Sequence, residues 1–149
     1  MEDAAAFLAR FAPFDHLDDD VLARVAGSLQ EAAFPAGADA LVEDGEPTTR
    51  LFVIRSGSME LIHQEEVIDV LEPGECFGHP SLLTGMAPAF TVRAHEETRC
   101  YVIPHDVALE VLGRPEGASF VALTLRERLT RTGHTVHEAG GSSSIREAT

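Results

Sequence analysis

The chemistry this chain offers is concentrated in Phe77-Gly78-His79-Pro80-Ser81-Leu82-Leu83-Thr84-Gly85, which interrupts a series of short apolar segments. Pro80 suits the first position of a helix, Leu82 and Leu83 would face inward, and Gly85 suits the end. A helix start exposed inside a β-barrel is an anion site, because its first N–H groups have no acceptor in the helix. No Gly-Lys-Ser/Thr phosphate loop, nucleophile elbow or carboxylate dyad occurs, so no enzymatic activity is expected. Seven histidines raise the question of metal. His134 and His137 are spaced i, i+3 but have no evident third ligand. His63, His79 and His95 would have to converge inside a barrel, and no His-x-His pair on one strand helps them do so. Cys76 and Cys100 fall on strand-like segments and read as buried, inert thiols.

The elements that must hold this stretch read as helices, then strands, then helices. Phe7, Leu8 and Phe11 form a short apolar stripe that Pro13 ends. Asp15 or Asp18 can cap a second helix with Leu22, Val25, Ala26 and Leu29 inward. Asp18, Asp19 and Asp20 lie in its first turn, where the helix dipole favours acids. From about residue 29 to 103 short apolar runs are cut by turn signals at Pro35-Ala36-Gly37, Asp44-Gly45-Glu46-Pro47, Ser56-Gly57 and Pro73-Gly74, the pattern of short antiparallel strands. Leu51 to Ile54 and Met59 to Ile62 are expected to form a hairpin about Ser56-Gly57. Val67 to Leu71 follows, and Ala89–Ala94 with Arg99–Ile103 are expected to form a final pair. Helices resume at His105, with Val107, Ala108, Val111 and Leu112 inward, and restart at Pro115. The last helix carries Ala118, Val121, Ala122, Leu125 and Leu129, with Arg126, Arg128 and Arg131 near its C-terminal end, where cations complement the dipole. Residues 138–144 read as a flexible linker.

The 149 residues amount to 16.0 kDa, enough for one domain that needs no disulfide or metal staple. There are 25 acids against 11 bases, a formal net charge of -14, and every base is arginine. Such a surface repels the phosphate backbone, so no nucleic-acid partner is expected. No apolar run approaches a membrane span, and the acidic start Met1-Glu2-Asp3 is unlike a signal peptide. The expectation is therefore a cytoplasmic domain over 1–132, with helices in 3–30, a β-roll over 29–103, helices in 105–132, and a flexible tail over 133–149.

This order of elements resembles the cyclic nucleotide-binding domain, the sensor of catabolite activator protein and of the protein kinase A regulatory subunit. The resemblance covers about residues 5–132. Its most specific part runs from Phe77 to Val92 and is similar to the phosphate-binding cassette: Phe-Gly-Glu, three small or apolar residues, a variable loop, then Arg-Ala and Thr-Val. Leu71-Glu72-Pro73-Gly74-Glu75 and Arg55-Ser56-Gly57 also fit. Phe-Gly-His-Pro-Ser-Leu-Leu, with Thr-Leu-Arg-Glu-Arg-Leu at Thr124 to Leu129, further resembles a bacterial subgroup in which CBS domains and a nucleotidyltransferase-type domain follow. The fold implied is mainly β with flanking helices: an eight-stranded antiparallel jelly roll with an N-terminal helix pair, an inserted cassette helix and C-terminal helices.

The function the resemblance implies is a regulatory ligand-sensing module without cofactor, whose ligand is a nucleotide or other phosphorylated anion. The expected ligand-binding residues are Phe77, Gly78, His79, Pro80, Ser81, Leu82, Pro88, Ala89, Thr91 and Arg93. Two positions depart from the family. The cassette Glu that bonds the ribose falls on His79, and the cassette Arg that pairs with the phosphate falls on Pro88, which has no N–H to donate. Cyclic AMP is therefore expected to bind weakly or not at all. The Ser81 hydroxyl and amide, the Ala89 amide and a protonated His79 would hold an anion, with affinity rising as pH falls through about 6.5. Arg93 shares strand parity with Ala89 and Thr91 and is either a substitute cation or a surface arginine. A homodimer through helix residues 116–132 is also expected. The alternatives are a ligand-free structural or oligomerisation module, and a cupin-like metal-binding protein.

Overall fold

The computed structural model of the chain describes residues 3–133, with side chains to residue 128. Two short helices open it, α1 (Ala4–Leu8) and α2 (Asp19–Ser28). Each begins on an aspartate that accepts from a backbone N–H three residues on: Asp3 from Ala6 at 2.7 Å and Asp18 from Val21 at 3.0 Å. Asp19 and Asp20 then fill the first turn of α2, as the dipole favours.

Eight strands follow: β1 (Gln30–Phe34), β2 (Asp39–Leu41), β3 (Leu51–Ser56), β4 (Met59–His63), β5 (Glu66–Leu71), β6 (Cys76–Phe77), β7 (Thr91–Ala94) and β8 (Thr98–Ile103). A helix, α3 (His79–Thr84), is inserted between β6 and β7, and α4 (His105–Leu112) and α5 (Pro115–Gly133) complete the order. The strands form two four-stranded antiparallel sheets, β1-β8-β3-β6 and β2-β7-β4-β5. This is the expected jelly roll flanked by helices. The expected tail, apart from Gly133, lies outside the described residues. Among the described residues no helix is long and apolar enough to cross a membrane.

Strand β3 explains its own sequence. Leu51 and Val53 face the helices, packed with Phe7, Leu8, Phe14, Val25, Tyr101 and Ile103. Phe52 and Ile54 face the space between the sheets, with Met59, Leu61, Phe77, Val92 and Val102. A strand covered on both faces reads as an unbroken apolar run, and all four residues are buried.

Two expected pairings are corrected. β3 and β4 do not form a hairpin; they belong to different sheets, and the turn at Gly57 carries the chain from one sheet to the other. Gly57 has a φ of 89°, and a Cβ there would lie 2.5 Å from Glu97 O and Thr98 Oγ1. The turn is thus packed against the next sheet crossing rather than closing a ladder. β7 and β8 likewise do not pair. β7 lies between β2 and β4, and β8 between β1 and β3. Both segments offer the apolar alternation of strands, but alternation does not specify the partner.

Candidate functional site

The cassette stretch departs from β6 at Gly78, whose φ is 94° and whose missing Cβ would stand 2.9 Å from Arg50 O. Only glycine accommodates both demands. Helix α3 then begins at His79, one residue before Pro80, and Gly85 ends it in the left-handed conformation with its N–H on Ser81 O at 2.8 Å. Ser81 pins the helix to both neighbouring loops. Its hydroxyl donates to Met86 O at 2.6 Å and accepts from Thr48 N at 3.0 Å.

A cavity of about 100 Å³ lies against this stretch. Of the expected ligand-binding residues, Phe77, Gly78, Pro80, Ser81, Pro88 and Ala89 line it. Leu41, Leu61, Phe90 and Val92 supply the facing wall from the sheets, and Leu125 and Arg128 close it from α5.

Four expected residues lie elsewhere. Leu82 joins the core beneath the helices. Thr91 is buried and accepts from Glu43 N at 2.9 Å. Arg93 grips Asp39, its cross-strand neighbour, with Nε–Oδ1 at 2.7 Å and Nη2–Oδ2 at 3.3 Å, on the exposed side of β7. It is the surface arginine of the two alternatives, held by the acid opposite it.

His79 is the largest correction. It is completely buried, and Nε2 lies 2.8 Å from Thr124 Oγ1 on α5, with the ring 5.3 Å from that of Phe120. It joins the cassette to α5 instead of facing a ligand. Burial, with the charge of Arg128 nearby, pushes the imidazole down to about 3. A neutral imidazole cannot supply the expected charge, so the expected rise in anion affinity below pH 6.5 has no group behind it.

The residues the sequence reading passed over are on α5. Arg128 stands one turn beyond both Thr124 (i+4) and Leu125 (i+3), the spacings that bring helix side chains together. Arg128 is buried, and its Nη2 donates to Cys76 O at 3.0 Å. The signal available in the sequence was a polar and charged residue inside an otherwise apolar stripe. The helix dipole by itself accounts for an arginine toward that end of α5.

Among the described residues the other titratable groups do not assemble into a metal centre. His63 lies beside Glu43 and His95 beside Glu60, each with Nδ1 3.1 Å from a carboxylate oxygen, while His79 faces α5. The three histidines therefore do not converge as a cupin-like metal site requires. Among the described residues no group of three or more His, Cys, Asp or Glu is placed to hold a metal ion. His134 and His137 lie outside them. Cys76 and Cys100 are buried, and burial pushes both thiols up to about 12.

A pocket between two antiparallel sheets, bordered by a glycine-flanked helical turn and closed by a C-terminal helix, agrees with one family model. Residues 32–114, more than half of the chain, match the cyclic nucleotide-binding domain. The chain belongs to this family. A relative, the cGMP-dependent protein kinase of Eimeria tenella, is 30% identical over 114 residues, 76% of this chain and 11% of its own length. The chain thus spans about a tenth of that kinase. Among solved structures, cAMP-bound PfPKA-R superposes with a TM-score of 0.79 at 16% identity, covering 89% of this chain and 46% of its own. The catabolite activator protein of Thermus thermophilus gives 0.66 at 26% identity, covering 80% of this chain and 58% of its own. The cyclic nucleotide-binding domain of this chain shares their β-roll with flanking helices.

Proposed function

We propose that this domain is a non-catalytic ligand sensor whose occupancy is transmitted through α5, and that cyclic AMP is a poor ligand for it. The observation that carries the reading is the shared wall. Leu125 and Arg128 of α5 close the same cavity that Pro80, Ser81 and Pro88 border from the cassette. A ligand entering there meets α5 directly. Its free energy can bias the position of that helix only through such differential contact. The weak response to cyclic AMP follows from position 88, where proline offers no donor, and from His79, which is turned toward Thr124. The size of the cavity points the same way: ligand pockets usually span about 300–1,000 Å³. The motifs at Phe77 to Leu83 and Thr124 to Leu129 support a place ahead of CBS and nucleotidyltransferase-type domains, which would receive the signal.

The test is a fluorophore on Ser119→Cys, an exposed position of α5; the two native thiols are buried and compete little for the label. Cyclic AMP should change the emission only with half-saturation above roughly 0.1 mM. Saturation near 1 µM or below would overturn the weak-binding reading. Bound nucleotide that leaves the label unchanged would overturn the coupling to α5.

Self-association is part of the proposal. Phe120 and Val121 pack on the core, whereas Leu123 is 52% exposed on the same helix. Pairing of α5 with a second copy would cover it. Leu123→Glu should convert a dimer to a monomer in equilibrium sedimentation, because a carboxylate cannot be buried there cheaply. A wild type that sediments as a monomer at about 100 µM, well above the dissociation constants of stable dimers, would refute the pairing.

A further inference from the structure

A second cavity, of about 400 Å³, lies where β2 meets the loop that leads into β3. Leu41 borders both this cavity and the one at the cassette. Its volume falls among ligand pockets, about 300–1,000 Å³, a range the cassette cavity does not reach. The loop is held in place. The Asp44 N–H donates to Pro88 O at 2.9 Å, the Thr48 N–H to Ser81 Oγ at 3.0 Å and the Arg50 N–H to Thr48 Oγ1 at 3.2 Å. A wall fixed in advance costs a ligand less ordering entropy.

The lining combines an apolar floor with two opposite charges. Leu41 and Phe52 are buried, and Val42 beside them is 51% exposed, so a branched apolar group seated there would cover it. Glu46 and Arg50 border the same cavity without meeting each other. The chain has 25 acids for 11 arginines, and Arg24, Arg55, Arg93 and Arg114 each reach one. Among the described residues, neither the Arg50 guanidinium nor the Glu46 carboxylate has a hydrogen-bond or ion-pair partner. The Thr48 oxygen accepts from the Arg50 N–H and keeps its hydroxyl proton to donate. Arg50 therefore offers its fork to a carboxylate, and Glu46 offers an acceptor to an ammonium. A bare anion is repelled by a net charge of -14, whereas a ligand that carries both charges has no net charge to be repelled.

We infer that this cavity is a second ligand site, separate from the cassette, and that it takes a zwitterion of the α-amino acid type with a branched apolar side chain. The carboxylate meets Arg50 and Thr48, the ammonium meets Glu46, and the side chain lies on Val42 and Phe52. L-Leucine is the probe. It is compared with isocaproate, which lacks the ammonium, with isopentylamine, which lacks the carboxylate, and with glycine, which lacks the apolar body. Calorimetry and backbone-amide NMR shifts are measured on the full chain.

L-Leucine should bind at least about tenfold more tightly than each of the other three, and its shifts should centre on residues 40–52. Arg50→Gln should weaken leucine about tenfold and leave isopentylamine within about twofold. Glu46→Gln should weaken leucine similarly and leave isocaproate within about twofold. Both residues are exposed, so neither change should disturb the fold. Thr49→Trp, at an exposed position of the lining, fills the cavity without altering a charge and should abolish binding. Equal binding of leucine and any of the three partial probes would overturn the inference. So would undiminished leucine affinity in any of the three variants, or shifts centred on residues 77–89. No response to leucine at about 20 mM would also overturn it. The role of the cassette cavity would survive each of these failures, because it is read from cyclic AMP and the label on α5.

Discussion

Pro88→Arg should raise the affinity for cyclic AMP by about ten- to a hundredfold, because a charge-assisted hydrogen bond contributes roughly 1.5–3 kcal/mol. The site can receive the change. Pro88 borders the cavity, and its carbonyl is already fixed by the N–H of Asp44 at 2.9 Å, so the backbone at this position is held in place. Arginine also restores an N–H that proline lacks. The same substitution should lower the melting temperature of the unliganded protein, since it adds a second guanidinium near that of Arg128 in an apolar cavity. Cyclic AMP should then recover the loss, because a ligand that binds only the folded state stabilises it. Adding His79→Glu should give no further affinity: position 79 faces Thr124 and Phe120, where a carboxylate finds α5 and no ribose. Calorimetry on the single and double variants decides the matter. Equal cyclic AMP affinity in wild type and Pro88→Arg would mean that position 88 does not reach the phosphate.

What was legible in the sequence was what local pattern determines. Asp18 before an apolar stripe is a helix start wherever it occurs, and Asp18 caps α2. Pro80 and Gly85 mark a short helix, and α3 spans His79–Thr84. The continuous run Leu51 to Ile54 announces a strand buried on both faces. Pairing was not legible, because Ser56-Gly57 serves a turn between sheets as well as one within a hairpin. Nor was side-chain direction. His79 is expected among the ligand contacts, yet a flat imidazole beside Phe120 can turn its Nε2 to Thr124 and complete the seam between α3 and α5. That seam joins residues 45 apart in sequence, and no local pattern carries such a contact. Arg128 is obscured for the opposite reason: a local rule, the helix dipole, suffices to explain a cation there and carries no sign of its place at the cavity.

The same seam should make the fold sensitive to acid. In the folded chain the His79 imidazole is held down to about 3 by burial and by Arg128, against an ordinary value of 6.5. Between these values the unfolded chain carries a proton on this ring and the folded chain does not, so acid favours unfolding. The contribution of His79 is fully present above about pH 6.5 and is lost as pH falls toward 3, at about 1.4 kcal/mol per pH unit. At pH 5 the loss is roughly 2 kcal/mol, a large part of the marginal stability of a domain this size. His79→Gln removes the titration and retains an amide that can bond Thr124. Urea unfolding of both proteins at pH 7.5 and 5.0 isolates the effect, since the remaining acids and histidines are common to the two and cancel in the difference. The wild type should lose roughly 2 kcal/mol more than the variant on acidification. Parallel losses would mean that the ring takes up its proton in the folded chain as readily as in the unfolded one, so that the junction of α3 with α5 is already open to water below neutral pH.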